Sequence, residues 1–292
     1  MEKEIKCLQK NSKNFPKNLR KLKNCPKELF VLGDEKVLSE FSLSVIGSRK
    51  CSFVGQKIAA EICEDLSRLD VVIVSGFARG IDTVAHKTCV NNKKKTIAVL
   101  GGGHGKIYPS ENKKMIDEIL KCGGAIISEY PSGYPSLPKN FVERNRIIAA
   151  LSEGIILVEA QKQSGSLHTI GYARELNKKI FVVPGAINDE MYDGSNMVLT
   201  EGGFCILNSQ DIANKYELLS TKKIVHKKKE NVLVDEELKK VFKVISHKPI
   251  SFDEICLKIK EPASDVLYKL TMLEIKGLIK EIGGKNFVLS MQ

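Results

Sequence analysis

Between residues 43 and 210 the hydrophobic positions follow two alternating rhythms. LSVIG (43–47), VVIVS (71–75), TIAVL (96–100), AIIS (125–128), GIILVEA (154–160) and KIFVVPG (179–185) are short apolar runs with almost no polar face. Such runs predict strands buried on both sides. The stretches between them are amphipathic. In GQKIAAEICEDLSRL, Ile58, Ile62, Leu66 and Leu69 recur every three or four residues, the spacing of one buried helical face. A repeating strand–helix pattern predicts an α/β domain with a doubly wound, mostly parallel sheet over residues 43–220.

The pattern changes at both ends. Residues 1–42 are basic and contain Pro16 and Pro26, and predict a short helical or looped cap. Residues 221–232, beginning TKKIVHKKKEN, are too charged to pack and predict a linker. Globular patterning returns over 233–292. Leu238, Val241, Phe242 and Ile245 mark one helix, Ile255 and Ile259 a second, and Val266, Leu267, Leu270 and Leu273 a third. Leu278–Ile282, a Gly283–Gly284 turn and Phe287–Leu289 then predict a hairpin. Three helices and a hairpin of this size spell a small winged-helix domain. Its candidate recognition helix offers only Lys269 and Lys276 against Asp265 and Glu274, which favours protein contact or domain packing over duplex reading.

Charge sharpens the choice of partner. The net +11 is concentrated at the ends: residues 1–50 carry 12 Lys and Arg against 6 Asp and Glu, residues 221–292 carry 15 against 10, and residues 51–220 balance at 19 each. An excess of this kind suits a polyanion. The eight cysteines are scattered without a C-x-x-C pair, which argues against disulfides and structural zinc. No apolar run approaches a membrane span and the first residues lack a signal segment, so a soluble protein of the cytoplasm is expected, with no membrane partner.

In a doubly wound sheet, ligands gather where the chain leaves the carboxyl ends of the strands. Four exits carry chemistry. After LSVI come Gly47, Ser48 and Arg49: a glycine for close backbone approach, a hydroxyl, and a planar guanidinium suited to phosphate. After VVIV comes SGFARGID, where Gly76 and Gly80 allow tight turns, Arg79 supplies a cation, and Asp82 suits the first helical turn. The alternative, less favoured, is that Arg79 serves as a structural partner of Asp82 or Glu129. The third exit, GGGHGKIYPSEN (101–112), lacks the position and the ribose-binding acid of a dinucleotide fingerprint, and His104 has no catalytic companion. The fourth is composite. Lys139, Arg144 and Arg146 are cations, Asn145 lies between the arginines, and Ser164, Gly165 and Ser166 open a helix. Phe141 offers either a stacking face for bases or a core side chain ahead of Ile147 and Ile148.

The ordered set GSR, SGFARGID, VLGGG with IYPSEN, SEYP, F-x-x-RNRIIAALS, VEA with SGSLHT, VVPG and DGSNMVLTEGG resembles the DNA-processing protein A family, DprA or Smf, from about Phe15 to Asn208. The resemblance implies a Rossmann-like domain that binds and protects single-stranded DNA and helps load RecA recombinase during natural transformation. It also implies a homodimer. The family's phosphate-binding motif falls on Gly47, Ser48 and Arg49, its DNA-contacting lysine and stacking aromatic on Lys139 and Phe141, with Arg144, Asn145 and Arg146 beside the same groove. The family's core is expected to begin almost at once here, without the additional N-terminal domain of its larger members, and His168–Gly171 departs from the usual x-T-A.

A competing reading is an enzyme like the nucleoside-monophosphate phosphoribohydrolases, which share a Rossmann-like fold. Their P-G-G-x-G-T-x-x-E loop would fall on Gln163–Thr169, where the paired glycines and the glutamate are missing. The expectation is therefore a non-enzymatic binder needing no cofactor and no metal.

Overall fold

The computed structural model describes residues 4–220, 224, 236–246 and 248–290. The chain divides into two compact units, Met1–Ile224 and Val225–Gln292. The linker expected at 221–232 lies outside the described residues apart from Ile224. None of the helices among the described residues is long and apolar enough to cross a membrane.

The first unit is the expected α/β domain. Its strands are β1 (Ile5–Gln9), β2 (Glu28–Gly33), β3 (Ser42–Ile46), β4 (Val72–Ser75), β5 (Thr96–Val99), β6 (Ala125–Ser128), β7 (Gly154–Leu157), β8 (Lys179–Val182) and β9 (Phe204–Cys205). The sheet runs β1-β2-β6-β5-β4-β3-β7-β8-β9. From β6 to β9 all neighbours are parallel, while β1 and β2 pair antiparallel with each other and β2 antiparallel with β6. Between the strands lie α1 (Phe53–Arg68), α2 (Ile81–Asn91), α3 (Met115–Lys121), α4 (Pro138–Leu151), α5 (Ser166–Glu175) and α6 (Asp193–Thr200), followed by α7 (Ser209–Ala213) and α8 (Glu217–Ser220).

Period-two alternation within the buried strands sends side chains to opposite layers. On β4, Val72 and Val74 join a core with Ile147, Ile148 and Leu151 of α4 and Ile170 of α5. Ile73, one residue out of phase, joins the opposite core with Ala59, Ile62, Cys63 and Leu66 of α1. Each fully buried aliphatic side chain here contributes about 2 kcal/mol of transfer free energy.

The N-terminal expectation needs correction. Residues 1–42 are not a helical or looped cap, because β1 and β2 extend the sheet by two strands. The run ELFVLG places Leu29 and Val31 in the core with Phe15 and Leu19. The lysines that precede this run disguised it, and the edge strand beyond it, β1, carries Lys6, as edges that must not pair with another chain tend to.

α2 carries a buried polar contact. His86 is fully buried, and its Nδ1 lies 2.8 Å from Thr96 Oγ1, whose own hydroxyl donates to the Ile73 carbonyl at 2.7 Å. The imidazole must therefore donate from Nδ1. Its ring packs 5.7 Å from Phe77, a core residue held at φ 59° in the left-handed region. Such a conformation for a bulky side chain stores strain that the surrounding packing must overcome.

The second unit holds α9 (Glu236–Val244), β10 (Ile250–Ser251), α10 (Phe252–Ile259), α11 (Ala263–Ile275), β11 (Ile279–Glu281) and β12 (Asn286–Leu289). Its three-stranded sheet runs β10-β12-β11, so the hairpin gains a short third strand. The winged helix is present as expected, with α10 started by a reciprocal Ser251–Glu254 capping box. Leu267 departs from expectation: it is 53% exposed, while Val266, Leu270 and Leu273 form the core.

Burial pushes the His86 pKa down to about 3, with the Arg144 charge adding to the shift. A group depressed on folding contributes stability present above its unfolded pKa and lost as pH falls through the window below about 6.5. Between pH 7 and 5 the protein is expected to lose about 2 kcal/mol through this residue. Urea titrations at both pH values should show that slope in the native chain and a correspondingly flatter one in His86→Leu.

Candidate nucleic-acid interface

Strand order reverses at β3. β4 continues the sheet on one side of it and β7 on the other, so the loops that follow β3 and β7 diverge and leave a crevice at the carboxyl edge. Its volume is about 790 Å³. Gly47, Ser48, Arg49 and Lys50 line it from β3, Ser164, Gly165, Ser166 and Thr169 from the start of α5, and Phe141, Arg144 and Asn145 from α4.

The β3 loop is held from behind by Glu159, which is fully buried after β7. Its carbonyl accepts from Ser48 N at 2.7 Å and its carboxylate from Ser52 N at 2.9 Å. Ser48 is itself buried, and its Oγ accepts from Lys50 N at 3.1 Å. Ser48 therefore shapes the turn, while the exposed Arg49 and Lys50 side chains carry its charge. Gly80, at φ 73°, passes so close to this turn that a Cβ would overlap the Ser48 carbonyl oxygen. Glycine is required there by both contact and conformation.

Arg144 forms the floor. It is 2% exposed, and its Nη1 donates to the carbonyls of Gly76 and Val99, which ties α4 to the ends of β4 and β5. Burial lowers its pKa to about 10, with Asp82 opposing the shift. Burial also raises Asp82 above the usual carboxylate range, with the Arg144 charge opposing it. Asp82 Oδ2 accepts from Gly76 N at 3.1 Å and Ala78 N at 3.3 Å. The two buried charges compensate each other, as such groups must.

Phe141 is half-buried and stands outside the cores that hold Ile147 and Ile148. The Arg49 guanidinium lies 5.6 Å from its ring centroid and that of Arg144 5.8 Å. Beneath it, Gly101 leaves room that a Cβ would fill at 2.8 Å from the ring. The glycine run 101–103 thus serves close packing, with Gly103 N donating to the Tyr134 carbonyl at 2.9 Å. His104 Nε2 lies 3.0 Å from the Ile126 carbonyl and the ring is tied to the scaffold.

Asn145 joins α4 to α5. Its Nδ2 donates to the Gly165 carbonyl at 3.2 Å and its Oδ1 accepts from Arg144 Nε at 3.3 Å. The Ser164 and Ser166 hydroxyls lie 2.8 Å apart, and the N-cap of α5, Gly165, has no side chain to cap it. Ser166 N donates to Ser164 Oγ at 3.4 Å and Leu167 N to the Ser164 carbonyl at 3.0 Å, so the two hydroxyls are what this side brings to the opening that Arg49 also lines, a combination suited to an anionic backbone.

Residues 6–217 match the family model of DNA recombination-mediator protein A, and residues 229–285 match the DprA winged helix domain. The chain belongs to the DprA family. It is 38% identical to Protein Smf of Escherichia coli over 202 residues, 69% of this chain and 54% of the relative. The match therefore spans only about half of that protein. It is 38% identical to DprA of Streptococcus pneumoniae over 203 residues, 70% of this chain and 71% of the relative. The solved pneumococcal DprA superposes with a TM-score of 0.69 at 36% identity, covering 73% of this chain and 75% of that one. DprA of Helicobacter pylori, whose structure addresses its own single-stranded DNA binding mode, gives 0.66 at 32% identity, covering 73% and 95%.

Four candidates of this DprA chain lie outside the crevice lining. Gly76 sits behind it, against Asp82 and Arg144. Arg79 is exposed and pairs with Glu111 at 2.5 and 3.3 Å, so neither Asp82 nor Glu129 is its partner. Arg146 pairs with Glu129 at 2.6 and 3.0 Å, and both are 13% exposed. Lys139 is exposed on the first turn of α4. Sequence reasoning missed Lys50 and Tyr108, which line the opening. Their signals were a second cation directly after GSR and an aromatic residue in an otherwise polar, glycine-rich loop.

The two glycines of the opening should respond differently to a methyl group. Gly80→Ala is expected to cost at least about 2 kcal/mol through strain and overlap. Gly165, at φ −60° with nothing within 4 Å of an added Cβ, should accept alanine within about 0.5 kcal/mol. Thermal denaturation of both variants measures the contrast.

Proposed function

We propose that this chain binds single-stranded DNA across the crevice and acts as a non-enzymatic recombination mediator. The observation that carries the reading is that the exposed Arg49 and Lys50, the half-buried Phe141 ring and the Ser164 and Ser166 hydroxyls at the start of α5 line one crevice. Cations and the serine hydroxyls would take the sugar-phosphate chain, and an aromatic face would take bases with little sequence preference. Gly47 and Ser48 would shape the phosphate-binding turn and Lys139 would extend the cationic track along α4. Arg144, Asn145 and Gly76 would act from behind by fixing the positions of the loops.

The carboxylates nearest the opening support binding over hydrolysis, because Asp82 and Glu159 are both engaged by main-chain N–H groups. The family's description as a recombination mediator supports handover of the strand to RecA recombinase, protection of the DNA during natural transformation, and a place in the cytoplasm. A homodimer belongs to the same reading.

Arg49→Ala and Lys139→Ala are each expected to weaken single-strand binding by about 1 to 3 kcal/mol, the scale of a lost charge-assisted contact. Fluorescence anisotropy with a labelled oligonucleotide measures this, and affinity should fall steeply between about 50 and 200 mM salt. Unchanged affinity in both variants would remove the crevice from the reading. Filament formation by RecA on oligonucleotides coated with single-strand-binding protein, with and without this chain, tests the handover.

A further inference from the structure

The loop after β5 presents an aromatic side chain that the crevice reading leaves unused. Tyr108 is 47% exposed, yet it stands in a rigidly held segment. Gly105 N donates to the Ser132 carbonyl at 2.8 Å, and Ser136 Oγ donates to the Lys106 carbonyl at 2.8 Å. At the far end of the loop the buried Asn112 donates to the Phe77 carbonyl at 3.1 Å and to Thr83 Oγ1 at 2.8 Å. A large, half-exposed ring on a braced loop has little ordering entropy left to lose on binding a flat partner.

Its position is specific. The Tyr108 and Phe141 ring centroids are 5.6 Å apart and the ring planes meet at 61°. Behind Tyr108, the Arg79 guanidinium lies 5.8 Å from the ring centroid and is gripped by Glu111. Two neighbouring rings of the opening, Phe141 and Tyr108, are thus flanked by Arg49 within the lining and by Arg79 just outside it.

We propose that Tyr108 is a second base-stacking platform, and that a single strand crossing the opening places neighbouring bases on Phe141 and Tyr108 in splayed orientations. This rests on the single-strand reading above and adds a consequence to it. Bases lying on planes inclined at 61° cannot stack on each other. A duplex holds its bases parallel at about 3.4 Å and cannot use both platforms. The pair of rings therefore selects unpaired polynucleotide by conformation, which charge alone does not do. Behind the second platform, Glu111 pairs with Arg79 and fixes its direction.

The test uses the full chain and a deoxythymidine oligonucleotide carrying two adjacent 2-aminopurines, moved stepwise along the strand. Stacked 2-aminopurines give an exciton circular dichroism couplet that disappears when they are splayed. The native chain is expected to abolish the couplet at one position of the pair, and Tyr108→Phe should do the same. Tyr108→Ala and Tyr108→Leu, which lack a π face, should retain the couplet and bind about tenfold more weakly. Melting temperatures of the variants check folding, and the leucine keeps apolar bulk should alanine prove unstable. If both variants bind like the native chain and abolish the couplet as it does, Tyr108 is not a platform. Weakening by Arg49→Ala alongside that result leaves the crevice reading standing and sinks only this inference. No binding by the native chain sinks both.

Discussion

The buried guanidinium of Arg144 is the constraint on which the crevice depends. It comes from α4, yet it satisfies the carbonyls that end β5 and follow β4, and Asp82 at the start of α2 balances its charge. An unpaired cation at 2% exposure would be far too costly, so helix, strands and loop are bound to one geometry. Gly76 contributes both its carbonyl and its N–H to this arrangement, and has no side chain to obstruct it. Phe141, one helical turn before Arg144, is placed over the opening as a result.

Around that fixed point the chain separates scaffold from surface. Glu159 holds the β3 turn from behind and Asn145 ties α4 to the start of α5, so the polar groups with internal partners are those facing the sheet. Arg49, Lys50 and Lys139 face outward. A site arranged this way has its affinity-bearing charges exposed while the groups that orient them are buried, and little reorganisation is needed when a polyanion arrives. The carboxyl ends of β3 and β7 supply the opening because strand order reverses there, a property of the fold that any sequence adopting it inherits.

The winged-helix unit shows a different balance. On α11, Lys269 is paired with Glu261, and the outward positions include Leu267, Tyr268 and Ile275, exposed by 53, 55 and 73%. A helix of that character is poorly equipped for phosphate contacts and better suited to an apolar partner surface. Its inward face, Val266, Leu270 and Leu273, is an ordinary helical stripe.

How much was legible follows the range of the interactions involved. Strand runs, helix faces, the winged helix and the ordered loop motifs depend on neighbours within a few residues, and periodicity and composition report those directly. The sequence by itself therefore determined the layered α/β architecture, the family and the loops that meet at the carboxyl edge. Long-range pairing decided the rest. β1 was hidden because an edge strand tolerates lysine, β2 because its pairing partner β6 lies far along the chain, and Leu267 was misplaced because adjacent positions on a helix differ by only 100° in direction. Most of all, Arg144, Arg146 and Arg49 look alike as letters. Only the tertiary structure assigns one to the floor, one to Glu129 and one to the opening, because the partners that decide an arginine's role lie from 17 to more than 40 positions away along the chain.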